Sequence, residues 1–526
     1  MQGIRRLRLH LALLALLVAI PCVTNAVAAV DGEPDATLEK RIQALEPRLD
    51  TYVSSGMKDF DVPGVAIGIV AGDKLVYSKG WGVRKKGGAP VDPQTIFQIG
   101  STTKAFLGVT LAIGVDQKKF RWDDRVVDLD PNFQLYDPWV TREFRVFDLI
   151  AQRSGLPPYA NDMVGILGFD ENRMIHSLRY VEPVSSFRTT FSYTNITHLV
   201  AGRIIAKAEG ATDWNAVLRS ELLDPLGMKE STYTAAAIEA APNHADGYRY
   251  APGGSVAVPF DQFFPYDFGG AGDINSNVEE LAHWVRLQLG DGSFEGQKIV
   301  SPENLAVTRT PKVALSDKVT YALGWVIAQT PNGNIVWHNG GTFGFGSLIG
   351  LDLTRKIGVI VLTNQKNVGF PDAVGLWIFD QLLGNPPVDH VAEALKKANK
   401  QYADDDKRYT RPDHPRACPA PAQLLGNYNN SSFGKAVLKQ DGDAAVLELA
   451  NGAELRLQPW DGDVFTASLL ANGRFTSVVE NLGPRPTAFA QFPVDQDGQR
   501  RILQLILEDG ETYDFHREPS AAPAQP

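Results

Sequence analysis

The spacing of apolar residues changes character several times along the chain. Leu11 to Ile20 is a short apolar run behind Arg5, Arg6 and Arg8, and the small residues Ala26-Val-Ala28 follow it. That order predicts a secretory signal over residues 1–28, too short to span a bilayer and cleaved near Ala28. Val65 to Val70 is a compact apolar run, Ala71-Gly-Asp-Lys74 a turn, and Leu75 to Ser78 resumes strand character, so a β-hairpin is expected there. Far downstream, Ser347 to Leu353 and Ile357 to Thr363 flank Thr354-Arg-Lys356, with Ile335 to His338 as a further short strand before them. Between these ends the period becomes helical. Ala105 to Val115 is apolar nearly throughout, as in a buried helix, and Ile196 to Glu209 is a second helix stopped by Gly210. Ser276-Asn-Val-Glu279 has the form of a capping box ahead of Leu281, Trp284, Val285 and Leu289, with Gly290 as the stop. Strands from both ends bracketing a helix-rich middle predict an α/β chain of the α+β kind. It would have one antiparallel sheet flanked by helices, with a helical subdomain inserted.

The texture shifts near residue 388. Ala392 to Tyr409 is charged and helix-forming, and Pro412 to Pro421 reads as an extended linker. From Gly426 to Phe515 short alternating runs recur at Ala445–Leu449, Glu454–Leu457, Phe475–Val479 and Ile502–Leu507. Asp-Gly and Asn-Gly turns separate them. This predicts a small all-β barrel or sandwich. The expected organisation is therefore a signal at 1–28, a main domain at 29–388, a charged helix and linker at 389–422, a β domain at 423–517 and a disordered tail at 518–526.

Charge and cysteine content narrow the function. The net charge is −10, and −13 without Arg5, Arg6 and Arg8, which argues against nucleic acid or an anionic membrane as partner. No apolar stretch beyond the signal is long enough to span a membrane, so a mature chain without a transmembrane segment is expected, exported to the periplasm or the extracellular space. With Cys22 in or beside the signal, Cys418 is the one remaining thiol, so no internal disulfide is expected.

Ser101-Thr-Thr-Lys104 carries the chemistry. On a helix, positions three apart share a face, so Ser101 would project beside Lys104 at a helix N-terminus, where backbone N–H groups favour a developing oxyanion. A serine needs a base to become a nucleophile, and a lysine serves only when burial keeps it partly neutral. The same spacing occurs at Ser55 and Lys58 and at Ser432 and Lys435, but no apolar helix follows those. Tyr193-Thr-Asn195 precedes an apolar helix, and His338-Asn-Gly340 ends a strand in a glycine-rich stretch that suggests close approach of ligand or backbone.

Taken together with Phe97-Gln-Ile-Gly100, Ser154-Gly-Leu-Pro157, Pro225-Leu-Gly-Met228, Ala271-Gly-Asp-Ile-Asn-Ser276, Leu323-Gly-Trp325 and Val361-Leu-Thr-Asn364, the chain resembles the serine β-lactamase and penicillin-binding-protein superfamily. The resemblance is to its class C β-lactamase, D-peptidase (peptidase S12) and family VIII esterase branch, and covers about residues 40–385. It implies a serine hydrolase without metal or cofactor. Ser101 would be the acylated nucleophile, Lys104 the amine that deprotonates it, and Tyr193 a general base and then acid. Asn195 would hydrogen-bond Lys104 and the substrate, His338 would head the active-site strand, and Gly340 and Gly341 would present the second oxyanion donor. True class C β-lactamases carry lysine where His338 stands. A histidine with an ordinary pKa of about 6.5 is mostly neutral at pH 7 and holds a carboxylate less firmly. Amide, peptide or ester substrates are therefore expected ahead of β-lactams, a class C-like β-lactamase and a non-catalytic penicillin-binding sensor being the alternatives. Phe260, Phe263, Phe264, Tyr266 and Phe268 are expected either in the core or as an apolar wall of the cleft. Leu425-Gly-Asn-Tyr428 and the β texture around it resemble the lipocalin-like domain appended to some hydrolases of this branch.

Overall fold

The structure is a computed structural model, and it describes residues 38–442, 444–507 and 510–519. The stretch read as a signal, and residues 520–526 of the tail, lie outside the described residues.

Eight strands form the main sheet: β1 (Gly64–Ala71), β2 (Lys74–Gly82), β3 (Val313–Ala314), β4 (Val319–Tyr321), β5 (Val326–Thr330), β6 (Gly333–Gly341), β7 (Gly346–Asp352) and β8 (Ile357–Thr363). Their order across the sheet is β2-β1-β8-β7-β6-β5-β4-β3, antiparallel throughout. The N-terminal hairpin joins the C-terminal strands through β1 and β8, in register from Val65 opposite Thr363 to Ala71 opposite Ile357. The six-residue apolar run Val65–Val70 does not alternate because helices cover both faces of the sheet. Val65, Ile67 and Ile69 pack with Val359 and Val361 against Leu49 and Val53 of α1 (Leu38–Phe60) and against α5 (Phe370–Leu383). Ala66, Val70, Ile360 and Leu362 belong to the opposite layer, with Val278, Leu281 and Val285 of α4 (Val278–Leu289). A Cβ at Gly358 would lie 2.1 Å from Val285, so that glycine sets how closely α4 approaches.

The inserted helical part holds α2 (Thr103–Asp116) and α3 (Ile196–Glu209, closed by Gly210 in the left-handed region). Residues Thr103 to Gly114 of α2 are all buried, as its unbroken apolar sequence anticipates, and Phe106 stacks on Trp284 of α4 with ring centroids 3.9 Å apart. The cap of α4 differs from expectation by one residue. Asn277, not Ser276, accepts a hydrogen bond from Glu280 N at 2.9 Å, because Ser276 is paired with Phe97 in a two-residue ladder.

After α6 (His390–Tyr409), strands β9 (Gly426–Asn430), β10 (Gly434–Asp441), β11 (Ala444–Leu449), β12 (Glu454–Asp461), β13 (Val464–Leu469), β14 (Ala488–Gln491), β15 (Ile502–Leu507) and β16 (Thr512–Arg517) form a closed barrel, each pairing with the next and β9 with β16. Side chains such as Leu438, Leu447, Leu455, Phe465, Leu503 and Phe515 fill it. The run expected as a strand at Phe475–Val479 is instead a helix, α7 (Phe475–Leu482). Phe475, Val478, Val479 and Leu482 recur at the helical period rather than alternating, and that spacing decides the element. The barrel is seated on the helical part and on α6. Arg173 Nε donates to Ser432 O at 2.6 Å, Ser477 Oγ to Asp261 at 2.6 Å, Asn451 Nδ2 to Leu167 O at 2.6 Å, and Arg485 pairs with Asp406 at 2.7 Å. An open cavity of about 740 Å³ lies in this seam, lined by Phe169, Arg173, His176, Phe433 and Arg474, and does not include Ser101.

Candidate active site

Ser101 is placed by a sharp turn. Phe97 and Gln98 pair with Ser276 and Asn275, then Gly100 adopts φ 53° and a 3-10 turn over Gly100–Thr102 leads into α2. The turn lies directly against the end of β6. A Cβ on Gly340 would sit 1.9 Å from Ile99 O, and one on Gly100 2.7 Å from Gly341 N. Ser347 Oγ adds a hydrogen bond to Ile99 O at 2.6 Å. These two glycine positions let a strand end and a helix start touch backbone to backbone, with Ser101 partly exposed between them.

Lys104 is completely buried, and its Nζ donates to Ser101 Oγ at 3.0 Å and to Ala271 O at 2.7 Å, 4.7 Å from the centre of the Tyr193 ring. Burial pulls its pKa from 10.5 down to about 7, while the carboxylates of Asp162 and Asp273 push the other way. Near neutrality this amine is thus a base. Tyr193 is also enclosed, and burial, then Tyr321, hold its hydroxyl well above the ordinary tyrosine value, with the neighbouring Ser101 opposing them. Tyr193 therefore carries its proton at physiological pH.

His338 does not face the cleft as a charged head group. It is 1% exposed, its Nδ1 lies 2.6 Å from Asn339 O and its Nε2 3.0 Å from Tyr321 Oη. Burial, then the charge of Lys104, lowers its pKa to about 3. The two partners assign a neutral ring that donates from Nδ1 and accepts at Nε2. Asn195 is likewise used differently from expectation. Its Nδ2 donates to Asp162 Oδ2 at 2.5 Å, and the hydrogen bond expected from it to Lys104 is not made, since Lys104 is occupied by Ser101 and the Ala271 carbonyl.

The Gly340–Gly341 strand end is clamped from α5. Asp372 accepts from Asn339 Nδ2 at 2.7 Å and from Asn367 Nδ2 at 2.8 Å, and the latter amide also reaches Gly340 O at 3.1 Å. Burial raises the Asp372 carboxyl to about 6 against these amides. Of the five aromatic residues 260–268, Phe268 is core and Phe260 stacks on Phe345. Phe263 lies under the Arg474 guanidinium, 3.6 Å from its ring centre. Phe264 packs on Phe343 at 4.4 Å, and Tyr266 bonds Gln98 and Asn275, which sets Tyr266 against the Phe97–Gln98 strand that leads to Ser101.

Sequence reasoning missed Asp162, Asp372 and Tyr321, which carry no local spacing signal. It found the Ala271–Ser276 segment, but the group that matters there is a backbone carbonyl, which leaves no side-chain signature.

Ser101, Lys104 and Tyr193 come together beside the end of β6, and the fold that brings them there is that of the β-lactamase-like, penicillin-binding-protein-like serine hydrolases. The chain belongs to the Beta-lactamase family, whose model matches residues 49–380. Among curated relatives, an unguisins hydrolase of Aspergillus campestris is 27% identical over 411 residues, 72% of this chain and 74% of the relative. A second, from Aspergillus violaceofuscus, is 24% identical over 512 residues and 88% of each chain. Protein flp of Staphylococcus aureus is 25% identical over 363 residues, 68% of this chain and 70% of its own. Among solved structures, the octameric penicillin-binding protein homologue from Pyrococcus abyssi aligns with a TM-score of 0.59 at 22% identity. The alignment covers 89% of this chain and 99% of that one, a likeness of fold.

Proposed function

We propose that this is an exported serine hydrolase that forms an acyl-enzyme on Ser101 and cleaves amide, peptide or carboxylic ester bonds. The observation that carries the reading is the 3.0 Å contact between Ser101 Oγ and a lysine whose pKa burial has brought to about 7. Neutral Lys104 takes the Ser101 proton as Oγ attacks the carbonyl carbon. The N–H groups of Ser101 and Gly341 receive the oxyanion, in an arrangement where losing one donor typically costs about 3 kcal/mol of barrier. Tyr193, still protonated, gives its proton to the departing amine or alkoxide and recovers it through Lys104. Water then attacks the acyl-Ser101 ester by the same route reversed and releases the acid.

Substrate preference follows from His338. A neutral, enclosed imidazole offers no fixed cation at the head of β6, which supports acyl groups without a carboxylate over β-lactams. Two relatives bear the name of hydrolases of unguisins, which supports bond hydrolysis as the reaction class. The basic start, apolar run and small residues of the first 28 positions support export.

The test is intact and peptide mass spectrometry after reaction with a fluorophosphonate, beside a panel of p-nitrophenyl esters, D- and L-amino-acid anilides and nitrocefin. A single adduct on Ser101, absent in S101A, with turnover of esters or anilides, is the expected result. An unmodified Ser101, or nitrocefin as the best substrate, overturns the reading or its substrate half respectively.

A further inference from the structure

The segment that carries Asp162 to the active site is not held by the hydrolase domain alone. Tyr159 and Asn161 both sit at φ 60°, a conformation that costs a residue with a side chain energy and persists only where the surroundings impose it. On one side Tyr159 N donates to Tyr193 O at 2.7 Å, and the two rings lie 5.4 Å apart. On the other side the partners come from the barrel. Asn161 N donates to Glu511 Oε1 at 3.0 Å, and the Tyr513 hydroxyl of β16, nine-tenths buried, is shared between Asn161 Oδ1 at 2.8 Å and Glu511 Oε2 at 2.6 Å. Asn161 Nδ2 completes the set with Ser177 Oγ at 2.7 Å. The next residue is Asp162, whose carboxylate takes the Asn195 amide.

We propose that Glu511 and Tyr513 of the barrel are positioning residues of the active site, gripping Asn161 so that Asp162 stays on Asn195 and beside Lys104. This rests on the Ser101 reading above. The groups facing Lys104 are Asp162 from this segment, Asp273 from the loop before α4, His198 from α3, His338 from β6, and Tyr193 and Ser101. Burial keeps both histidines uncharged, so among the described residues the two aspartates are the charges that hold the lysine's proton. Loosening the grip lets the Asp162 carboxylate retreat, and Lys104 then loses its proton at lower pH. The barrel thereby reaches the chemistry through a backbone N–H and one amide, without touching substrate.

The test uses the full chain as wild type, E511A, E511Q, Y513F and D162N, and measures the rate of fluorophosphonate labelling of Ser101 across pH together with kcat and KM on a p-nitrophenyl ester. E511A and Y513F should label about 10- to 100-fold more slowly, the penalty typical of a small misplacement transmitted to a reacting group. Their rising limb should move to lower pH, as it should in D162N. E511Q keeps an acceptor for Asn161 N–H and should recover most of the rate. Wild-type rates with an unmoved limb in E511A and Y513F overturn the proposal, and so do slower rates with an unmoved limb, which a purely structural contact would give. Should E511A not fold, Y513F and E511Q decide the matter by the same two readouts. A wild-type protein that does not label at all overturns the Ser101 reading and this proposal with it.

Discussion

Replacing Lys104 by methionine should destroy activity and make the protein more stable. The side chain is fully buried, and holding it there lowers its pKa from 10.5 to about 7. At about 1.4 kcal/mol per tenfold change in proton affinity, that difference is about 5 kcal/mol of folding free energy spent on enclosing an ammonium. The direction in pH follows from proton counting. Above about 10.5 the lysine is neutral in both states and the penalty vanishes. Between 10.5 and 7 the unfolded chain binds the proton and the folded one does not, so the penalty grows as pH falls. Below about 7 both states are protonated and it is complete. Methionine has similar length and no charge, but it leaves the Ala271 carbonyl without its 2.7 Å partner, a loss of about 1–3 kcal/mol. The net gain for K104M is therefore about 2–4 kcal/mol at pH 6, shrinking toward zero or below at pH 10. Urea unfolding followed by tryptophan fluorescence at both pH values reads this directly. A variant less stable than wild type at pH 6, or a margin identical at the two pH values, would refute the assignment of Lys104 as a strained, half-neutral base.

Further outcomes are expected at other positions. G340A should lose the fold of the site, since its Cβ would lie 1.9 Å from Ile99 O, an overpacking penalty of about 1–3 kcal/mol or more. G341A, whose Cβ meets only Asn367 at 3.4 Å, should unfold at the wild-type temperature, and paired thermal melts separate the two. The pH–rate profile should rise through about 7 with Lys104 and show no fall from Tyr193 below pH 10, because that hydroxyl stays protonated. Y193F should lower kcat by about 10²- to 10⁴-fold, and a descending limb between pH 8 and 10 that disappears in Y193F would refute the raised pKa of that hydroxyl. D148A strips the buried carboxylate that pairs with Arg153 at 2.9 Å and Arg188 at 2.5 Å, and should cost about 3–5 kcal/mol in denaturant unfolding.

What could be read from the residues was what depends on near neighbours. Ser101 and Lys104 lie on one helix, so their spacing alone places them together, and the apolar run after them announces the burial that tunes the lysine. Gly340 and Gly341 stand out because glycines are unfavourable in a strand unless something presses on them, and at Gly340 the Ile99 carbonyl does, while Gly341 has room for a Cβ. The hairpins at residues 65–78 and 347–363 were visible from runs and turns. What escaped depends on partners distant in the chain. Asn195 could accept from the lysine through its carbonyl or donate to a carboxylate through its amide, and its choice of Asp162 is set by how the segment at 159–162 is folded back. His338 looks like a cleft residue until Tyr321, 17 positions away, is seen to cover it. Phe475–Val479 reads as a strand because strands flank it and the run is short, and the helical period becomes plain only when Leu482 is included.

The pairing of β1 with β8 sets the order of events when the chain is made. Val65 finds Thr363 only after some 300 further residues have been added, which at about 5–20 residues per second takes about 15–60 seconds. Throughout that time the hairpin of β1 and β2 has an open edge and two greasy faces. The barrel, by contrast, closes among strands that emerge one after another, so none of them waits for a partner hundreds of residues away. A chain whose hairpin is deleted would leave β8 as an exposed edge for a second molecule to pair with.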